Sequence, residues 1–134
     1  MTHPDRVEDY LEHIVRAIER AMRYIQPLAS AAALRQNEQI QDAVVRTIEI
    51  IGEAASKIQN TDPAFAVNHP ELPWIEMRGM RNKMIHEYFD VDWDIVWGTV
   101  KDDPPPLKGQ IERLLTRHNQ ARKADDRDQS EYSD

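Results

Sequence analysis

The chain has 134 residues, a length typical of one domain, and it contains no cysteine, which excludes a disulfide framework, a thiolate nucleophile and cysteine-ligated zinc. Its 17 basic and 24 acidic residues give a net charge of −7, so a general nucleic-acid coat is excluded, while a small basic site is not. No stretch approaches the roughly 20 apolar residues of a membrane span, and the acidic N-terminus lacks the features of a signal peptide, so we expect a cytoplasmic protein.

The first half of the chain predicts two amphipathic helices. Apolar residues recur at steps of three and four over residues 6–26, and Pro27 ends this pattern. A longer pattern covers residues 30–58, with Ser30 as its expected N-cap. Gly52 lies inside the second pattern, where we expect it to allow close packing between two helices.

The second half predicts a loop and three further helices. Residues 59–73 contain three prolines and no apolar period, so we expect a loop there. A third helix is predicted over residues 73–89, and a short fourth helix over residues 93–100, capped by Asp92. A fifth helix is predicted over about residues 107–118.

These elements predict an all-α protein, because neither an alternating strand pattern nor an internal repeat is visible. We expect an up-and-down four-helix bundle with a short extra helix, formed by residues 1–118. Residues 119–134 are charged and almost free of apolar side chains, which predicts a disordered tail whose removal leaves folding intact.

The third predicted helix carries an arginine in the middle of its apolar face. On a wheel of about 100° per residue, Trp74 and Met77 fall on either side of Arg81. A guanidinium is costly to bury without partners, so three interpretations compete. The first is a structural ion pair with Glu49 or Glu53, the second an anion-binding cleft, and the third a subunit interface.

A basic cluster surrounds this arginine. It consists of Arg78, Arg81 and Lys83, with His86 nearby. His86 lies about 140° around the predicted helix from Arg81, so in one regular helix the two side chains diverge. They can act together if the helix ends or bends between them, or if a second copy of the chain supplies the partner. Taken alone, His86 can equally be a surface or capping residue.

An arginine and a histidine are the minimal set for cleaving RNA without a metal ion. The histidine moves protons as general base and acid, and the arginine stabilises the charged phosphorane. Only a few residues are needed, so such a site is compatible with an acidic protein.

The sequence RNKMIHEY, residues 81–88, resembles the RX4HXY motif of the HepT-like proteins, a branch of the HEPN superfamily. The flanking blocks LPW at 72–74 and VDWDIVWGTV at 91–100 are also similar to this family, as are the first two predicted helices. The resemblance covers roughly residues 6–116 and implies a HEPN-like helical bundle.

The resemblance further implies a function. Members are metal-independent endoribonuclease toxins of toxin–antitoxin pairs, form homodimers, and are neutralised by an MNT-type nucleotidyltransferase antitoxin that adds AMP to the motif tyrosine. Carried over to this chain, Arg81 and His86 become the catalytic pair and Tyr88 the AMP acceptor. Asn82 fills the polar position after the arginine, and Arg78 is a further supporting residue. The alternative is a non-catalytic helical module that docks a nucleotidyltransferase or binds a nucleotide.

Overall fold

The computed structural model describes residues 7–87, 90–102 and 107–117, although the side chains of residues 80–87, 90 and 102 lie outside the description. This part of the chain forms seven helices and one two-stranded sheet, so the prediction of an all-α helical bundle is confirmed. In chain order the elements are α1 (Val7–Ile25), α2 (Ala31–Arg35), α3 (Glu38–Thr61), α4 (Pro63–Asn68), α5 (Trp74–Met84), β1 (Ile85–Glu87), β2 (Asp90–Val91), α6 (Trp93–Asp102) and α7 (residues 107–117).

The core has two apolar clusters that share α1 and α3. The first cluster joins the N-terminal half of α1 and the C-terminal half of α3 to α4, α5 and α7. The second joins the opposite ends of α1 and α3 to α2 and α6. The two long helices therefore run antiparallel. Each fully buried isoleucine or leucine in these clusters contributes on the order of 1.5–3 kcal/mol relative to exposure.

The prediction of one helix over residues 30–58 is wrong in one respect, because the chain forms two helices there, α2 and α3, separated at positions 36 and 37. Ser30 caps α2 as predicted, its hydroxyl accepting a hydrogen bond from the Ala33 amide at 3.3 Å. Asn37 starts a new helix, since its side-chain oxygen accepts from the Ile40 amide at 3.0 Å. The break allows Leu34 to be fully buried in the second cluster.

The predicted loop over residues 59–73 is also corrected. α3 continues to Thr61, and the separate helix α4 follows it. Asp62 both ends α3 and caps α4, its carboxylate accepting from the Phe65 amide at 3.1 Å. Pro63 suits the first turn of α4 because that position needs no amide donor. The rings of Phe65 and Trp74 pack edge to face, with their centroids 6.3 Å apart, and this contact holds α4 against the start of α5.

The largest correction concerns the third predicted helix, which ends at Met84 rather than at residue 89. β1 follows at once and pairs antiparallel with β2, with Ile85 opposite Val91 and Glu87 opposite Asp90. The sequence from residue 85 to residue 91 contains two β-branched and two aromatic residues, which favour extended backbone. The ladder therefore replaces the last helical turn.

The final two helices follow the prediction. Asp92 caps α6, its side-chain oxygen accepting from the amides of Asp94 and Ile95, each at 3.1 Å. α7 covers residues 107–117, and the predicted tail over 119–134 lies outside the described residues. In the described part of the chain, no helix is both long enough and apolar enough to span a membrane.

Candidate active site

The C-terminal half of α5 carries three of the predicted site residues. Trp74 and Met77 are buried in the first cluster, and by its helical position Arg81 shares their face. Arg78, which lies about 60° from Arg81 on a helical wheel, is exposed at the edge of that face. Asn82 follows in the last turn of α5; the side chains of Arg81 and Asn82 lie outside the described part of the structure.

The end of α5 changes the predicted relation between Arg81 and His86. His86 lies in β1, so the 140° divergence expected on a continuous helix does not apply. One of the two conditions under which these residues can act together is met, because the helix ends between them. Tyr88 follows β1 and lies outside the described residues, so its predicted role stays a prediction.

The backbone of α5 is held close to α3 at Gly52. A Cβ atom at this position would lie 3.2 Å from the carbonyl oxygen of Met77 and 3.6 Å from that of Arg78. Contacts this tight with backbone atoms explain the glycine and confirm the predicted close packing of two helices. The glycine thereby sets the distance from α3 to the turn of α5 that precedes Arg81.

An open groove of about 400 Å³ lies along α3 and is bordered by Arg78 of α5. Its described lining residues are Arg46, Ile48, Glu49, Gly52, Glu53, Ser56 and Arg78. Arg78 donates a hydrogen bond from its Nη1 to Oε1 of Gln59 at 2.8 Å, which fixes the guanidinium at the rim. Glu49 lies 3.7 Å from the guanidinium of Arg46.

This groove contains both carboxylates, Glu49 and Glu53, that the structural ion-pair interpretation assigns to Arg81. The side chain of Arg81 lies outside the described part of the structure, so the ion pair, the anion-binding cleft and the subunit interface all stay predictions. The groove also contains Arg46, which the sequence reading did not single out. Its position three residues before Glu49 on a helix was the signal available. Among the described residues, no group of three or more His, Cys, Asp or Glu side chains could hold a metal ion.

Comparison with known proteins identifies the family. The profile described as "Ribonuclease HepT-like" matches residues 14–114. The chain belongs to the HepT-like ribonuclease family. A Thermococcus cleftensis protein named "Probable ribonuclease HepT" is 46% identical over 107 residues, which are 80% of this chain and 94% of that protein.

Two further HepT-like relatives support the assignment. A Caldanaerobacter subterraneus subsp. tengcongensis protein with a provisional RNase name is 36% identical over 106 residues, 79% of this chain and 91% of the relative. A Methanocaldococcus jannaschii protein, also with a provisional RNase name, is 45% identical over 76 residues, 57% of this chain and 67% of the relative. No solved structure matches the chain significantly.

Proposed function

We propose that this HepT-like protein is an endoribonuclease that cleaves RNA without a metal ion, with Arg81 and His86 as its catalytic residues. The observation that carries the proposal is the family membership, which covers residues 14–114 and so includes the complete Arg81–Tyr88 motif. The end of α5 between Arg81 and His86 supports it, because the two residues do not lie on one continuous helix.

The chemistry needs only proton transfer and charge stabilisation. The neutral imidazole of His86 takes the proton from a ribose 2′-hydroxyl, whose oxygen attacks the adjacent phosphorus. Arg81 stabilises the pentacoordinate phosphorane, on which negative charge develops. A protonated imidazole then gives a proton to the departing 5′-oxygen. The products are a 2′,3′-cyclic phosphate and a 5′-hydroxyl. Asn82 and Arg78 support binding of the substrate beside this pair.

The cleavage is tested with purified protein and a single-stranded RNA in the presence of EDTA. We expect the wild-type chain to cut the RNA and His86→Ala to abolish cutting, while Arg81→Ala lowers the rate by about 100-fold or more, as loss of a transition-state charge contact does. His69→Ala is the matched control, because His69 is bound to Glu71 at 3.1 Å, away from the motif. Intact RNA with every protein, wild type included, would remove the nuclease assignment.

The biological role that we propose is that of a cytoplasmic toxin in a toxin–antitoxin pair. The partner is an MNT-type nucleotidyltransferase that transfers AMP from ATP to the Tyr88 hydroxyl and releases pyrophosphate. The added phosphate carries negative charge and acceptor oxygens that can occupy the arginine of the motif. We propose a homodimer as the active form, with residues of both copies lining one cleft.

The modification is tested by mass spectrometry. The chain is incubated with the nucleotidyltransferase and ATP, and we expect a mass increase of one AMP per chain together with loss of RNA cleavage. Tyr88→Phe should prevent the increase, whereas the control Tyr24→Phe should not. An increase that persists in Tyr88→Phe would exclude Tyr88 as the acceptor.

A non-catalytic helical module is the second candidate function. The observation that favours it is the presence of two carboxylates, Glu49 and Glu53, in the groove beside Arg78. Carboxylates so placed can neutralise the arginines beside them. This candidate predicts stable binding to the nucleotidyltransferase without any cleavage of RNA by either wild type or His86→Ala.

A further inference from the structure

One exposed face of α1 carries four basic residues in a row. His13, Arg16, Arg20 and Arg23 fall within an arc of about 80° on a helix of 100° per residue, over a length of about 15 Å. We call this surface the α1 basic face. The side chains of His13, Arg16 and Arg23 are exposed, and that of Arg20 is half-buried.

Asp9 falls within the arc of this face but is buried, and Glu12 and Glu19 lie beside the face. On the same wheel, Glu12 and Glu19 fall just beyond the edge marked by Arg23. The carboxylate of Glu19 lies 3.7 Å from the ammonium of Lys108 on α7, and that ammonium also lies 3.3 Å from Glu112. The charged side chains that reach solvent within the arc of the α1 basic face are therefore all basic, on a chain whose net charge is −7.

Arg20 is held in a fixed position on this face. Its Nε donates a hydrogen bond to the Tyr24 hydroxyl at 3.1 Å, and its guanidinium carbon lies 5.9 Å from the centre of the Tyr24 ring. This hydrogen bond lowers the pKa of Tyr24, and Arg23 lowers it further. A guanidinium has five N–H donors, so one bond to Tyr24 leaves others for an anion.

A groove of about 280 Å³ continues from the α1 basic face across to α3. Its described lining residues are Tyr10, His13, Arg46, Ile50, Glu53, Ala54 and Lys57. Arg46 and Glu53 also line the groove beside Arg78, so the two grooves meet at α3. The path from α1 to α5 thus has the half-buried ring of Tyr10 near its start, and the basic residues Arg46, Lys57 and Arg78 along it, with Glu49 and Glu53 between them.

We propose that single-stranded RNA binds along the α1 basic face, crosses α3 at Arg46 and reaches Arg78. Phosphates contact Arg16, Arg20 and Arg23, and a base stacks on the Tyr10 ring. This combination of a cationic groove with an aromatic platform suits single-stranded nucleic acid. A membrane surface fits less well, because the groove is concave. This inference rests on the proposed ribonuclease function and adds where its substrate lies.

The test compares two double variants of the full chain that remove the same charge. Arg16→Gln/Arg23→Gln neutralises the α1 basic face and leaves the Arg20–Tyr24 bond intact. Arg113→Gln/Arg117→Gln removes two exposed arginines from α7. Binding of a fluorescein-labelled oligoribonucleotide is measured by anisotropy over a series of NaCl concentrations, with His86→Ala in every protein so that the probe stays whole.

We expect the α1 variant to bind the probe about tenfold more weakly, while the α7 variant binds as the parent does. The plot of log affinity against log salt concentration should become less steep, its negative slope shrinking in magnitude by about 1.4. Each lost phosphate contact on a single strand contributes about 0.7 to that magnitude. Circular dichroism should show both variants folded, because the changed side chains are exposed.

Cleavage by chains with His86 intact separates this inference from the proposed function. If the α1 variant has a raised KM and an unchanged kcat, both the RNA path along α1 and the ribonuclease function stand. If RNA is cut with an unchanged KM, the inference is wrong and the nuclease stands. If RNA binds through α1 but is never cut, the inference stands and the nuclease fails. The inference is overturned if both variants lose the same affinity for the RNA probe, or if the parent protein does not bind the probe. It is also overturned if the α1 substitutions weaken only the binding of an acidic protein partner.

Discussion

Gly52 decides how closely α5 can approach α3. A Cβ atom there would lie 3.2 Å from the Met77 carbonyl oxygen, a backbone atom that cannot rotate away. We therefore expect Gly52→Val to lower the free energy of unfolding by about 2 kcal/mol, as overpacked core substitutions do. The measurement is urea unfolding followed by circular dichroism. RNA cleavage should fall as well, because α5 carries Arg81.

Gly98 on α6 provides the matched control for Gly52. Among the described residues, no atom other than those of its chain neighbours and its own helical backbone lies within 4 Å of a Cβ built at Gly98. Valine has a higher helix propensity than glycine by a few tenths of a kcal/mol, so Gly98→Val should leave stability unchanged or slightly raised. If both glycines respond alike to valine, close packing at Gly52 is not the cause of its effect.

Sequence patterns located single residues well where one helix decides their position. The role of Gly52 and the place of Arg78 at the edge of the buried face followed from helical periodicity alone. The relation of His86 to Arg81 did not, because it depends on where α5 ends. That end is set by pairing with β2, a contact six residues further along that periodicity does not encode.

At the scale of elements, Asn37 makes α2 and α3 two helices instead of one. Its side-chain oxygen accepts from the Ile40 amide at 3.0 Å, which satisfies a donor left free at the start of α3. We expect Asn37→Ala to lower the free energy of unfolding by about 1 kcal/mol. Asn37→Asp should keep most of the stability, because aspartate is a comparable N-cap residue. Chemical denaturation of the three proteins measures the difference.

The neighbouring Gln36 tests whether the effect belongs to the cap. Gln36 is exposed, and it ends α2 through its backbone amide rather than its side chain. Gln36→Ala should therefore leave the unfolding midpoint unchanged. A loss as large as that of Asn37→Ala would assign the effect to the whole connection between the helices.

Element boundaries were predictable where a local signal marks them. Pro27 after α1 and the Asp92 cap of α6 are such signals, and both helices lie where the sequence places them. The break at Asn37 and the helix α4 were missed for a different reason. Asn37 lies inside an apolar pattern that continues on both sides of it, and α4 has only six residues, too few to show a helical period.

At the scale of the whole molecule, net charge was a poor guide to the surface. A value of −7 is a sum over the chain, and it does not show that helical geometry separates Arg16 and Arg23 from Glu12 and Glu19. Spacing along the sequence mixes these charges, whereas the 3.6-residue turn places the arginines within one arc and Glu12 and Glu19 along its edge. The basic cluster near Arg81 was found because its residues are close together in the chain.

The two apolar clusters should unfold together, because α1 and α3 belong to both. Ile48 in the second cluster and Ile58 in the first are almost fully buried on the same helix. Ile48→Ala and Ile58→Ala should each lower the free energy of unfolding by about 2–5 kcal/mol. Each change should shift one common urea transition rather than unfold only its own end.

Tryptophan fluorescence can observe the two clusters separately. Trp74 lies in the first cluster, while Trp93 and Trp97 pack against the second. Trp74→Phe leaves reporters for the second cluster, and Trp93→Phe/Trp97→Phe leaves one for the first. In each of these two proteins, fluorescence and far-UV circular dichroism should give coincident transitions, which is the mark of two-state unfolding. A second cluster that melted at lower urea would show that α1 and α3 fray from that end, and would assign the stability of α5 and its arginines to the first cluster alone.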